Sequence, residues 1–280
     1  MSNKKSNDVY DQSRIRYWNN NYVHYWKARV AEANIEYSVA SALVAGDAAT
    51  TADVRYLQAI ELLGIGPQNS VLELACGFGR SLPVLSRLAA EVAAVDISEQ
   101  MIEAARRDFS AANISFHVSP SEDLPFDDEK FDRIVCFAAF DAMFQTETLV
   151  EMHRVCKKGG RLLLTGKNDR YHLNDHRAYE AELGAQGKGH PNYFTNVKKL
   201  LGDLERFGLA LVVAKYYERR GDFTEDLART EMPSHFYEYL MVLEKSGPCE
   251  QNFDADYSCA FSKTFTLLMR SAPPSEYKRV

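Results

Sequence analysis

No apolar run in this chain approaches membrane-spanning length; stretches such as Leu209–Ala214 are the size of a core strand. The opening MSNKKSND is polar and leads into no signal-peptide apolar core. Cysteine is sparse, and none of the five (Cys76, Cys136, Cys156, Cys249, Cys259) stands in C-x-x-C spacing, so neither a zinc framework nor a redox motif is indicated. Three of them sit in or beside apolar stretches, where a free thiol behaves as a small hydrophobe. Nothing requires Cys249 and Cys259 to pair, and an odd count without a framework suggests a reducing cytoplasm. An excess of basic charge is also missing. The formal net charge is −6, which argues against a broad phosphate-binding face without excluding a local basic groove. These absences point to a protein that acts on a small molecule, with no nucleic-acid or membrane partner. Oligomeric state is not legible.

What is present suffices for one large α/β domain with additions: 280 residues, 46% apolar and 26% charged. No internal repeat or low-complexity tract interrupts it. From Tyr17 to Ala45 the pattern is helical, with Trp18, Tyr22, Tyr25 and Trp26 sharing a face. A second helix is predicted from Thr51 to Leu63, stopped by Gly64-Ile65-Gly66-Pro67. Residues 1–66 thus read as a helical cap on a domain spanning 67–280. Within that domain short apolar runs (Ser70–Ala75, Glu91–Val95, Ile114–Val118, Arg133–Phe137, Arg161–Thr165) alternate with helical segments (Ser81–Ala90, Glu99–Ser110, Thr146–Val155). This rhythm predicts a doubly wound, seven-stranded, mostly parallel sheet whose last strand is antiparallel. Leu209–Tyr217 is the sixth strand, Met232–Gly247 is spaced as a helix, and Phe261–Arg270 is the expected final strand. Two insertions, at about 167–196 and 218–258, would form substrate-side walls.

The stretch VLELACGFGR (Val71–Arg80) puts two glycines between the first strand and its helix. A dinucleotide fingerprint requires a third glycine where Leu82 stands. Glu73, inside the strand, would repel a pyrophosphate but suits a cationic ligand. Asp96, at the end of the second strand, suits the two hydroxyls of a ribose. Together they ask for a cationic nucleoside without phosphates.

VLELACGFGR, VDIS with Met101 after Ile97, SEDLPFDDEKFDRIVC and HRVCKKGGRLLLTG resemble, in order and at typical spacing, the successive motifs of the class I S-adenosylmethionine-dependent methyltransferases, a Rossmann-like fold. The resemblance covers about Ser70–Gly166. It implies S-adenosylmethionine as cofactor, its methionine part held by the backbone of Ala75, Cys76 and Gly77 with Glu73 behind. Asp96 would take the ribose. Ile97 and Met101 would pack on adenine, Ser121 and Glu122 would meet its edge, and Phe137 and Ala138 would line the sulfonium pocket. Two departures stand out. Ala75 replaces a common glycine, which is tolerable if its φ is negative. Pro120 stands where aspartate is frequent, which passes that role to Glu122.

The aromatic prefix reads mainly as packing, with Tyr17 or Tyr22 closing over the cofactor. His172 and His176 form H-x-x-x-H, but without the glutamate of zinc hydrolases; no metal is expected, and a polar substrate lid is preferred. His153 reads as structural and Lys157–Gly160 as a turn before a strand. The expected reaction is in-line methyl transfer to an oxygen or nitrogen of a small polar metabolite, such as a sugar or natural-product intermediate. The insertions offer His172, His176, His190 and His235 as proton acceptors, with His176 and His190 preferred. Methylation of protein or RNA, a cofactor-binding regulator without turnover, and an NAD-dependent oxidoreductase are the alternatives. Glu73 and the missing third glycine disfavour the last.

Overall fold

A computed structural model describes residues 12, 14–22, 51–109, 111–250 and 256–260. The helix expected beyond Tyr22 as far as Ala45, and the strand expected at Phe261–Arg270, lie outside these residues. Within them, Tyr17–Tyr22 form a short π-helical turn, and helix α1 spans Thr51–Glu61, ending before Gly64, whose φ is 59°.

Five strands, β1 (Ser70–Leu74), β2 (Glu91–Asp96), β3 (Ile114–Val118), β4 (Phe131–Cys136) and β5 (Cys156–Lys167), pair in parallel in the order β3-β2-β1-β4-β5. Helices α2 (Leu82–Leu88), α3 (Glu99–Asp108) and α4 (Gln145–Val155) connect them. Every residue of β1 is buried, as expected of a strand covered on both faces. The pleat sends Leu72, Leu74, Ile134, Leu162 and Leu164 into a core shared with α4, and Val71, Val135 and Leu163 into a second core shared with α1, α2 and α3.

Beyond β5 the sheet continues as β9 (Glu238–Lys245), β7 (Leu209–Tyr217) and the two-residue β8 (Ala228–Arg229). β9 is antiparallel to both β5 and β7. The stretch expected to be a helix is therefore the antiparallel strand itself, and the excursion between β7 and β9 runs over 218–237. The reason is burial: Tyr239–Leu243 are all buried between two strands, and a run apolar on every side carries no period of either kind. A second correction concerns Lys157–Gly160. These residues bulge from within β5, since Phe131 pairs with Cys156 but Arg133 with Arg161; Gly159 takes φ 72° there.

The first insertion folds as α5 (His176–Gly187) and β6 (Tyr193–Thr195), which pairs with β10 (Ser258–Ala260) outside the main sheet. Helix α6 (Val197–Asp203) then leads to β7, and the four-residue α7 (Asp222–Glu225) lies between β7 and β8. No helix among the described residues is long and apolar enough to cross a membrane.

Candidate functional site

Strand order reverses at β1, so the chain leaves the carboxyl ends of β1 and β4 in opposite directions and a crevice opens between them. A cleft occupies that place. Ala75, Cys76, Gly77, Asp96, Ile97, Met101, Ser121, Phe137, Ala138 and His190 line it, ten of the residues singled out by sequence.

The β1 loop turns through left-handed conformations at Ala75 (φ 55°), Gly77 (φ 53°) and Gly79 (φ 80°). The condition set for Ala75 is thus not met: its φ is positive. The loop must reverse tightly to let the Cys76 N–H reach the Val95 carbonyl at 2.9 Å and the Gly77 N–H reach Asp96 Oδ2 at 2.9 Å. Ala75→Gly is expected to raise stability by about 1 kcal/mol, the strain of an L-residue held in this region; urea unfolding checks it, and an unchanged or lowered midpoint would contradict the strain. Gly79 is different, because a Cβ there would come within 2.7 Å of Leu82 and 2.9 Å of Phe109. It supplies the close helix packing that the absent third glycine provides in a dinucleotide loop.

The two acids are buried. Glu73, only 5% exposed, accepts a hydrogen bond from the Ser81 hydroxyl, while its Oε2 has no hydrogen-bond partner among the described residues. It sits beneath the cleft rather than among the lining residues. Burial pushes its pKa up to about 7, opposed by the Ser81 hydrogen bond and the Arg80 charge and reinforced by Asp96. Asp96, 7% exposed, is pushed up to about 6, again by burial first. The Gly77 and Ser98 N–H groups, both at 2.9 Å, work against that rise. The buried Glu73 Oε2, with no hydrogen-bond partner among the described residues, is what a nearby cation would relieve.

At the β2 end, α3 follows Ser98, whose hydroxyl accepts from the Met101 N–H at 3.3 Å and so fixes Met101 in the cleft wall. Ser121 lines the cleft with its hydroxyl 3.0 Å from that of Thr148. Glu122 is not among the lining residues. Its Oε1 accepts from the Phe144 N–H at 2.9 Å and pairs with Arg14 at 2.9 Å, so it anchors the segment Arg14–Asn19 across the cleft mouth. Asn19 receives the Ser98 hydroxyl at 2.7 Å on the other side. Arg14 and Trp18, absent from the sequence-based site, line the cleft. The side chain of Tyr22 lies outside the described residues.

At the β4 end, Ala138 (φ 49°) donates its N–H to Thr165 Oγ1 at 2.7 Å. Facing it, His190 packs its ring against Tyr17 and Trp18, centroids 5.3 and 5.1 Å away. Burial and the nearby Lys167 charge hold its pKa below the usual imidazole range, which keeps it neutral and able to accept a proton. Behind it lies a buried network that sequence reading missed. Lys167 Nζ sits 3.0 Å from both Asp141 and Glu182, and Glu182 also accepts from Tyr237 and Asn192. These residues are far apart in sequence, and the visible signal was Lys167, a charge closing an apolar strand.

His176 is a correction. It is exposed at the start of α5, a helix capped by Asp175, and does not line the cleft. His172 precedes that helix, so the two imidazoles share no helical face; His172 lies 3.7 Å from Glu218 instead. Among the described residues no group of three or more His, Cys, Asp or Glu side chains is placed to hold a metal ion. His153 bonds the Gly247 carbonyl at 2.8 Å, a packing role, and Cys249 is a free thiol.

Residues 72–164 match a family model described as a methyltransferase domain. The ubiquinone/menaquinone biosynthesis C-methyltransferase of Geotalea daltonii is 31% identical over 114 residues, 38% of this chain and 48% of that protein. The demethylmenaquinone methyltransferase of Clavibacter sepedonicus is 36% identical over 96 residues, 34% of this chain and 39% of that one. The chain thus spans under half the length of these curated relatives. A solved S-adenosylmethionine-dependent methyltransferase from Mesorhizobium loti shares the fold, with TM-score 0.55 at 17% identity over 68% of this chain and 97% of its own. The sheet order and the cleft at its reversal point define a Rossmann-like fold. More narrowly, residues 72–164 carry a methyltransferase domain, and the fold around it is the one seen in solved S-adenosylmethionine-dependent methyltransferases.

Proposed function

We propose that the chain moves the methyl group of S-adenosylmethionine to an oxygen, or a nitrogen, of a small polar molecule, with His190 as the proton acceptor. The observation that carries this reading is a half-buried imidazole lining the same cleft as Phe137 and Ala138, its pKa lowered by burial. The sulfonium supplies an activated methyl; the remaining work is alignment, exclusion of water by Arg14–Asn19, and removal of one proton. Glu73, Asp96 and the loop Ala75–Gly77 would hold the cofactor, Ile97, Met101 and Ser121 its adenine. Residues 1–66 as a cap and the insertions as acceptor walls complete the reading. The free cysteines fit a cytoplasmic setting.

A tritiated-methyl transfer screen over fractionated cell extract tests it. With a transferring fraction in hand, His190→Ala is expected to lower kcat by about 100-fold or more, the usual contribution of a positioned base, whereas His176→Ala stays within twofold. With cofactor saturating, the acid limb of kcat should lie below pH 6.5, because the His190 pKa is lowered. Full turnover in His190→Ala would remove the proton-acceptor role. A second reading, carbon methylation as the relatives' names state for them, has the sequence match in its favour. The matched family segment ends at residue 164, before His190 and most of its polar surroundings.

A further inference from the structure

Among the buried polar atoms with no hydrogen-bond partner among the described residues are His190 Nδ1, Asn192 Oδ1 and Gln145 Oε1; of these three side chains His190 lines the cleft. They gather around one short stretch of chain. Gln145, 2% exposed, donates its Nε2 to the Tyr193 carbonyl at 3.1 Å, and Asn192, 9% exposed, donates its Nδ2 to Glu182. Those two bonds fix both amide orientations, so each side chain is left presenting a carbonyl oxygen. Three donor groups beside Glu182 are already committed. Lys167 is held between Asp141 and Glu182, the Tyr237 hydroxyl donates to Glu182, and Arg220 donates to Tyr237 at 2.7 Å. The cluster therefore offers acceptors and asks for donors.

Resting on the methyl-transfer reading above, we infer that the acceptor molecule is a neutral, polyhydroxylated compound of the sugar or cyclitol class. Two of its hydroxyls donate to Gln145 Oε1 and Asn192 Oδ1, while a third donates to His190. That third hydroxyl gives its proton to the imidazole as its oxygen forms the new bond to the methyl carbon; the sulfur–methyl bond breaks and the thioether S-adenosylhomocysteine leaves. An anionic acceptor is disfavoured, because Asp141 and Glu182 stand behind the cluster and Lys167 is already shared between them. A planar apolar acceptor would leave the two carbonyls buried and unmet, the situation in which sites discriminate most strongly against analogues lacking a hydroxyl. Tyr17 and Trp18 pack on the His190 ring.

The test uses the full chain loaded with S-adenosylhomocysteine and saturation-transfer NMR. The probes are the methyl glycosides of the common hexoses and the inositols, with hydroquinone and 1-hexanol as comparisons. At least one polyol should bind, and Gln145→Met and Asn192→Leu should each weaken it tenfold or more. Titration calorimetry should show S-adenosylhomocysteine affinity within twofold of the parent, which also reports that the variants fold. Binding of hydroquinone with no polyol bound overturns the inference, as does a panel in which nothing binds, or a polyol affinity unchanged in both variants. Failure of the parent chain to bind S-adenosylhomocysteine would remove the underlying reading as well. Polyol binding without methyl transfer would sink methyl transfer alone and leave the ligand class standing.

Discussion

Replacing Asp96 by alanine is expected to weaken S-adenosylmethionine binding by about 100-fold or more. A ribose whose two hydroxyls donate to one carboxylate loses two charge-assisted hydrogen bonds, each of order 1.5–3 kcal/mol, and about 1.4 kcal/mol is a factor of ten. The loss has a second source in the loop itself, because Asp96 also receives the N–H groups of Gly77 and Ser98. Asp96→Asn keeps the side-chain shape while removing the charge and setting a donor against those N–H groups, so it should fall between parent and alanine. Calorimetric titration with S-adenosylhomocysteine, which lacks the methyl but keeps the ribose, measures both. An alanine variant that binds within threefold of the parent would show that the ribose is held elsewhere.

The second large effect is a dependence on pH that runs opposite to that of an ordinary paired carboxylate. Glu73 is pushed from 4.5 to about 7 in the folded chain. Between those values the folded protein keeps a proton that the unfolded chain has released, so stability falls as pH rises from about 4.5 to 7 and is level above. At about 1.4 kcal/mol per pKa unit the Glu73 contribution is of order 3 kcal/mol. Asp96, raised to about 6, and Glu238, raised to about 7, act in the same direction; His190, whose pKa is lowered, acts against them as pH falls. Comparing the chain with Glu73→Gln isolates the one acid: the parent-minus-variant stability should decline across pH 4.5–7. Cofactor binding should show the reverse trend. A cationic ligand needs the ionised acid, so affinity should climb by up to tenfold per pH unit from about 5 to 7, and this climb should shrink in Glu73→Gln. Parallel pH curves for the two proteins would mean that Glu73 is not the titrating group.

The β1–β4 side of the cleft was readable in the sequence and the insertion side much less so, for physical reasons. Strands β1, β2 and β4 are short apolar runs closed by turn residues, and their burial leaves a nearly continuous apolar pattern that is hard to misplace. The same property hid β9. Phe236, Tyr239, Leu240 and Leu243 satisfy helical spacing, yet Tyr239–Leu243 are buried on both faces of a sheet, where spacing means nothing. The sign of φ at Ala75 was beyond reach, because it is set by the hydrogen bonds of the loop and not by the residue that occupies it. His176 and His190 lie in one insertion and looked equivalent. The helix cap at Asp175 turns the first outward, whereas the chain past Gly189 (φ 74°) brings the second back to the cleft. The network of Lys167, Asp141 and Glu182 is held by contacts between three distant segments, and no local pattern announces it.

The position of β9 has a consequence for synthesis. It is wedged between β5 and β7, but it is translated after both. Until residue 245 clears the ribosome, the nascent chain carries two raw apolar strand edges with nothing between them, a state open to mispairing and to capture by chaperones. Release of the last third of the polypeptide thus completes the middle of the molecule, not its rim.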